Sequence, residues 1–166
     1  MKTDHRQDTA SAVDVICRKV STIAEFIDVI RVRVDVFIIE QHCPPGWEPS
    51  EVDKTCDHYA AWVDEAIVGT ARLRADEPGS LKIECMSVLK DYRHRGVGKA
   101  LTDCLVEAAM QRGFSRLWMQ AQAHARSFYE LAGFRATSQE YDLYNLGIPH
   151  ISMEYAGGTE GVPPAG

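Results

Sequence analysis

The 166-residue chain lacks long apolar runs, and its apolar stretches extend over only a few positions. A helix that spans a bilayer needs about 20 apolar residues, so the sequence predicts no membrane partner. The opening residues, MKTDHRQDTAS, also lack the apolar core of a secretory signal. We therefore expect a cytoplasmic protein.

Basic charge is scarce as well. The chain has 18 Lys and Arg residues against 24 Asp and Glu, and its net charge is −6. This acidic balance argues against nucleic acid as the main partner. With 45% hydrophobic and 25% charged residues, the composition is that of an average globular protein, and the length suits one domain.

The cysteines form no Cys-x-x-Cys pair, and their odd number favours reduced thiols. They are Cys17, Cys43, Cys56, Cys85 and Cys104. His42 and His58 lie next to or near two of them, but the spacing matches no closed zinc pattern. The sequence therefore predicts no metal.

Hydrophobic periodicity predicts strands and helices in alternation. Thr22 and Glu25 have the spacing of a capping box, and apolar residues follow at helical spacing as far as Ile38. This stretch predicts one long amphipathic helix or two short ones that share a face. Strands are predicted at 13–20, 58–63, 67–74, 81–88 and 117–121, helices from 97 up to Gly113 and at 125–132, and two last strands flank 147–149.

The order β-α-α-β-β-β-α-β-α-β-β predicts an α/β (α+β) fold, in which a twisted mixed sheet carries helices on both faces. We expect a single domain over residues 13–155 and a flexible N-terminus over 1–12. Residues 156–166 are rich in Gly and Pro and predict a disordered tail.

A predicted anion site follows the strand at 81–88. The sequence reads Arg93-x-x-Gly96-x-Gly98 immediately before a helix, so the backbone can approach a ligand closely and aim free N–H groups at it. The positive end of the helix dipole favours a phosphate or pyrophosphate there. The predicted contact residues are Arg93, His94, Arg95, Gly96, Val97, Gly98 and Lys99.

Two other phosphate loops do not fit. A Walker A loop needs a glycine five positions before Gly98 and a Ser or Thr at position 100, where the chain has Arg93 and Ala100. A dinucleotide fingerprint needs a third glycine where Leu101 stands, and an acidic residue about 20 positions further on. That later region is apolar or neutral.

The R-x-x-G-x-G loop resembles the acyl-CoA pyrophosphate loop of the GNAT acetyltransferase superfamily. Residues 127–134, SFYELAGF, are similar to the motif that follows the fifth strand of that family, and residues 82–88, KIECMSV, resemble its fourth strand. Residues 33–57 and 147–150 are similar to its ElaA-like branch. The resemblance covers roughly residues 14–155.

This resemblance implies a GNAT-type acyl-CoA N-acyltransferase fold with acetyl-CoA as co-substrate. In the family the fourth strand parts from the fifth at a bulge, and backbone groups bind the thioester. The matching positions are Met86 for the carbonyl and Val88 for the pantetheine arm. Gln122 and Phe128 are the further implied cofactor contacts.

Two residues are catalytic candidates. Glu84 alternates with Lys82 and Met86 along the strand, and a carboxylate near the sheet centre could have a raised pKa and act as base through a water. The alternative is a strand Glu that is ion-paired with Lys82 or an arginine. Tyr129 is the candidate acid for the departing thiolate, or else a residue that packs on the core.

The sequence indicates less about the residues that bind the acyl acceptor. Arg33, in a charged cluster with Glu40 and Asp53, predicts part of an acceptor mouth that would suit a cationic amine, or else a solvated charged loop. His150 predicts a group that binds or deprotonates the acceptor, or a structural histidine. The expected reaction is acetyl transfer to a primary amine of a small molecule or protein, by a chain that could dimerise. The alternatives are an acyl-homoserine-lactone-synthase-like enzyme and a non-catalytic acetyl-CoA-binding module.

Overall fold

The computed structural model describes residues 13–157, so the predictions for 1–12 and for 158–166 lie outside the described residues. The α-helices are α1 (Ile23–Arg33), α2 (Val97–Gln111) and α3 (Arg126–Leu131). The strands are β1 (Ile16–Lys19), β2 (Asp57–Val63), β3 (Ala66–Glu77), β4 (Ser80–Val88), β5 (Arg116–Gln122), β6 (Phe134–Ala136), β7 (Tyr141–Asp142) and β8 (Pro149–Tyr155).

The strands form one mixed sheet in the order β1-β2-β3-β4-β5-β8-β6, and β7 pairs with β8. Only β4 and β5 run parallel among these pairs. The mixed sheet is therefore confirmed. The end of the chain differs from the prediction, because three strands rather than two follow α3, and both β6 and β7 pair with β8.

The helices cover both faces of the sheet, as predicted. Leu73 and Arg72 are neighbours on β3 and therefore point to opposite faces. Leu73 belongs to a core that includes Leu105 of α2. Arg72 is paired in register with His58, whose ring contacts Phe26 of α1 with 4.9 Å between centroids. Thus α2 packs on one face and α1 on the other.

The predicted long helix is continuous, but it begins as an α-helix and ends as a π-helix. Thr22 caps α1 by accepting a hydrogen bond from the Glu25 N–H at 3.1 Å, as the capping box predicts. After Arg33 the chain continues as a π-helix, Val34–Glu40. At its end, Glu40 is hydrogen-bonded to Arg93, and the next residue, Gln41, is hydrogen-bonded to Gln122.

β4 and β5 separate part of the way along their length. Their register runs from Ser80–Arg116 to Ile83–Met119 and stops there. Beyond this point β4 contains a bulge, because three steps on β4 face two on β3, and Cys85 has a φ of 54°. The bulge turns β4 away from β5 and opens a gap through the sheet.

Candidate active site

A cavity of about 840 Å³ passes through the gap between β4 and β5. Gly98 and Tyr129 line it on the α2 face, and Glu84 and Gln120 line it on the α1 face. A ligand can therefore reach the centre of the sheet from either side. This two-sided access is the main property of the site.

The predicted anion loop lies at the α2 end of the cavity. Gly96 is the N-cap of α2 with a φ of 91°, and no side chain caps the helix. The N–H groups of the first turn therefore lack a side-chain partner and face the direction from which an anion would come. A Cβ atom added at Gly98 would lie 3.3 Å from the Phe128 ring, so this glycine keeps the approach open.

The side chains of the loop take different roles from those predicted. The Arg93 Nε donates to the Val88 carbonyl oxygen at 2.9 Å, and its guanidinium makes two hydrogen bonds to Glu40, at 2.6 and 2.7 Å. Val97 is 1% exposed, so only its backbone can contact a ligand. The Arg95 side chain does not line the cavity, whereas those of His94 and Lys99 do.

Met86 and Val88 line the cavity on β4, where the strand has no partner on its β5 side. No β5 residue pairs with them on that side, and the Val88 carbonyl oxygen already accepts the hydrogen bond from Arg93 Nε. The predicted alternation of Met86 with Glu84 is wrong, because the extra residue at the bulge shifts Met86 by one position. Met86 packs instead on the α2-face core with Ile83.

Glu84 is enclosed by cations. Its carboxylate lies 2.9 Å from Arg72 Nη2, 3.0 Å from Arg74 Nη2 and 3.0 Å from Lys82 Nζ. Burial raises the pKa of Glu84, but the hydrogen bonds from Arg74 and Lys82 and the charge of Arg72 outweigh it and hold the pKa at about 2. The expectation of a raised pKa is therefore wrong, and the ion-paired alternative describes this side chain.

Arg33 lies beneath the cavity and does not line it. It is 1% exposed and donates two hydrogen bonds to Asp53, at 2.8 and 3.2 Å, and it is also ion-paired with Glu48. Arg72 donates to the same carboxylate at 2.7 Å. The prediction that Arg33 contacts an acceptor is wrong, because its guanidinium is used to hold the loop around Glu48 and Asp53 against β3.

Tyr129 projects from α3 into the α2 end of the cavity and is 6% exposed. Its ring contacts Phe128 and Phe134 edge to face, at centroid distances of 4.9 and 6.0 Å. Burial raises the pKa of Tyr129, so its phenol stays protonated at neutral pH. The residue thus both packs on the core and presents a proton donor to the cavity.

His150 and Gln122 are partners in register at the ends of β8 and β5, and both line the cavity. The His150 Nδ1 is 2.8 Å from the Ile148 carbonyl oxygen. A carbonyl only accepts, so Nδ1 carries the proton and Nε2 of the neutral ring keeps its lone pair. Gln122 and Gln41 exchange hydrogen bonds at 2.8 and 3.3 Å across the gap.

Some lining residues were not predicted for this chain. Tyr144, Glu48 and Gln41 come from loops or helix ends that carry no local motif. Gln41 and Glu48 lie within segment 33–57, which the family resemblance had marked, and Tyr144 lies three positions before segment 147–150. Their roles depend on contacts between distant parts of the chain.

The family model described as "Acetyltransferase (GNAT) domain" matches residues 25–156. The chain belongs to the GNAT family. YjcF, an uncharacterised N-acetyltransferase of Bacillus subtilis, is 35% identical over 126 residues, which cover 76% of this chain and 89% of YjcF. These matches agree with the anion loop before α2 and with the separation of β4 from β5.

Solved structures agree on the fold. Escherichia coli ElaA has a TM-score of 0.76 at 23% identity, covering 86% of this chain and 99% of ElaA. A GNAT family acetyltransferase from Elizabethkingia anophelis, solved with acetyl-CoA bound, has a TM-score of 0.61 at 13% identity, covering 86% and 97%. The GNAT fold prediction is confirmed.

The described residues contain neither a membrane-spanning helix nor a metal-binding group. Between residues 13 and 157, no helix has both the length and the apolar character needed to cross a bilayer. The same part of the chain holds no group of three or more His, Cys, Asp or Glu side chains placed to bind a metal ion. The five cysteines are all free thiols.

Proposed function

We propose that this GNAT protein is an N-acetyltransferase that moves an acetyl group from acetyl-CoA to a primary amine. The observation that carries the proposal is the gap between β4 and β5, which opens directly beside the uncapped N-terminus of α2. A thioester needs a slot that reaches reacting groups, and its pyrophosphate needs an anion site at the mouth of that slot. Both are adjacent here.

The residues present fit acetyl-CoA. The N–H groups after Gly96 suit the pyrophosphate, and the backbone of Met86 and Val88, which has no partner on β5, suits the carbonyl oxygen and the pantetheine arm. Gln122 lies on the opposite side of the gap with an amide that can pair with another amide. When bound, acetyl-CoA supplies an activated acyl group. The amine then enters from the α1 face.

The reaction requires one bond to form and one to break. A neutral amine attacks the acetyl carbonyl carbon, a C–N bond forms, and the C–S bond breaks with its electron pair leaving on sulfur. Tyr129 donates its phenolic proton to that sulfur, because it lines the α2 end of the cavity and stays protonated. The attacking nitrogen loses one proton, which replaces the proton given up by Tyr129, and the products are the acetylated amine and CoA.

We assign the base to His150 rather than to Glu84. The amine loses one proton, and the His150 Nε2 has a lone pair available in the neutral ring, whereas Glu84 is a weak base with a pKa of about 2. Glu84 stays an ion-pair partner that fixes β3 against β4. The two proton-transfer groups thus lie on the same cavity but on different elements, α3 and β8.

The test is acetylation by the purified protein. We expect mass spectrometry to find an acetylated amine and free CoA in equal amounts when acetyl-CoA and a panel of primary amines are supplied. Binding of acetyl-CoA without any acetylated product would support the non-catalytic module instead. Product formed only from a longer acyl thioester and a homoserine derivative would support the lactone-synthase-like alternative.

A further inference from the structure

The α1 end of the cavity is walled by aromatic rings from separate loops. Trp47 and Tyr144 contact each other edge to face, with 5.1 Å between centroids, and Tyr144 contacts His150 in the same way at 5.5 Å. All three line the cavity. We call Trp47, Tyr144 and His150 the aromatic wall.

The wall is not simply part of the core. Trp47 is 39% exposed and Tyr144 is 53% exposed, and both line the cavity. Leu146, beside Tyr144 on the same loop, is 40% exposed. Aromatic surface that is accessible from within a cavity is a binding surface for apolar groups.

The carboxylates around the wall are already paired. In the described part of the chain, each acid that lines the α1 end has a cationic partner: Glu40 has Arg93, Glu48 has Arg33, and Glu84 has Arg72, Arg74 and Lys82. These carboxylates are therefore not free to pair with a further cation on the acceptor. None of the arginine partners of Glu48 and Glu84 lines the cavity either.

From this geometry we propose that the acceptor is a primary amine on an uncharged, flat apolar body, of the arylalkylamine type. The inference rests on the proposed function and adds the substrate class. The aromatic wall provides contact area for a ring, and the paired charges leave no counterion for a second ammonium or for a carboxylate on the acceptor. Desolvating an unpaired charge at this end would oppose binding.

The experiment compares matched amines by the rate of CoA release. 2-Phenylethylamine and phenylalanine differ by one carboxylate, and 1-aminobutane and 1,4-diaminobutane differ by one ammonium. We expect kcat/KM for 2-phenylethylamine to exceed that for phenylalanine and for 1,4-diaminobutane at least tenfold. We also expect Trp47→Leu to lower that value at least tenfold while the KM for acetyl-CoA stays within about twofold.

Trp62→Leu is the matched control, because Trp62 lies on β2 under the Arg18 guanidinium and outside the cavity. Phenylalanine or 1,4-diaminobutane used as well as 2-phenylethylamine would overturn the inference and leave the proposed function intact. Failure of all four amines to release CoA would overturn the proposed function for small amines. 2-Phenylethylamine is then titrated into wild type and into Trp47→Leu, with tryptophan fluorescence as the signal for binding. This measurement decides the ligand class independently of turnover.

Discussion

Arg93 and Glu40, 53 positions apart in the sequence, form a two-point ion pair that joins the anion loop to the end of the π-helix. The Glu40 carboxylate thus pairs with a guanidinium of the predicted pyrophosphate loop. The Arg93 hydrogen bonds lower the pKa of Glu40, so its charge is present at neutral pH. An anionic ligand at the loop therefore meets both a helix dipole that attracts it and a carboxylate that repels it.

Removing the Glu40 charge should strengthen acetyl-CoA binding. Glu40→Gln keeps a hydrogen-bond acceptor for Arg93 but leaves the guanidinium with its charge uncompensated. At low salt we expect the Kd of Glu40→Gln for acetyl-CoA to be several-fold lower than that of wild type. At about 1 M salt the difference between the two Kd values should be smaller, because charges are then screened within about 3 Å. Calorimetry at two salt concentrations measures this. Glu25→Gln, which breaks an exposed pair with Arg18, is the control, and weaker binding by Glu40→Gln would contradict the prediction.

Acetyl-CoA binding should depend on Gly98. A glutamate there adds a side chain toward the Phe128 ring and a negative charge beside the first turn of α2. We expect calorimetry to detect no acetyl-CoA binding by Gly98→Glu while its thermal unfolding stays close to that of wild type. Gln111→Glu adds the same charge at the other end of the helix and should bind normally. Unchanged affinity in Gly98→Glu would remove the loop from the site.

The Tyr129 hydroxyl should act on the chemical step. Tyr129→Phe keeps the ring contacts with Phe128 and Phe134 and removes only the proton donor. A positioned general acid contributes typically 10²–10⁴-fold in rate, so we expect kcat to fall about 10²-fold with little change in the Kd for acetyl-CoA. Steady-state kinetics and calorimetry give the two values. Tyr155→Phe serves as the control, and wild-type turnover in Tyr129→Phe would leave Tyr129 a packing residue.

His150 should determine how the rate depends on pH. Asn in its place can still donate to the Ile148 carbonyl but lacks the Nε2 lone pair. We expect His150→Asn to lose about 10²-fold in kcat/KM at neutral pH and to approach wild type at high pH, where the amine is already deprotonated. His42→Asn is a suitable control, because His42 is exposed and has a φ of 58°, which Asn tolerates. A parallel pH–rate profile would exclude His150 as the base.

Glu84 should matter for stability in a defined pH range. Its pKa is about 2 in the folded protein against an ordinary value of 4.5, so the stabilisation is complete above pH 4.5 and is lost as the pH falls toward 2. A shift of this size corresponds to about 3 kcal/mol. We expect Glu84→Gln to lower the free energy of unfolding by about that amount at pH 7, measured by urea denaturation, and to differ little from wild type near pH 2.

Glu65→Gln, at the exposed tip of the β2–β3 hairpin, controls for the loss of one charge. The same Glu84→Gln protein should keep the pH–rate profile of wild type wherever it remains folded. A profile that becomes steeper in Glu84→Gln would return the base role to Glu84.

Local sequence patterns predicted the elements that depend on neighbours in the chain. The helix that begins at Val97, its end just before Gly113 and the Thr22 cap follow from spacing alone. Glu84 shows the limit of that approach. Alternation correctly placed it on the face of Lys82, but its pKa depends on Arg72 and Arg74, whose register with β4 is set by tertiary structure.

The bulge at Cys85 explains the error for Met86. A period of two predicts that Met86 follows Glu84 to the same face, and one extra residue reverses this. Cys85 has no glycine or proline beside it to signal a left-handed φ. Likewise, the contact between Trp47 and Tyr144 joins loops almost a hundred positions apart, for which no spacing rule exists.

The short parallel ladder also bears on the width of the gap. β1 to β4 form one antiparallel part of the sheet, and β5 with β8, β6 and β7 forms the other. Among the described residues, the backbone ladder between these two parts runs from Ser80–Arg116 to Ile83–Met119 and ends there. This ladder lies at one end of the gap, so a change in the angle between the two parts would widen or narrow the gap while each part keeps its own backbone hydrogen bonds.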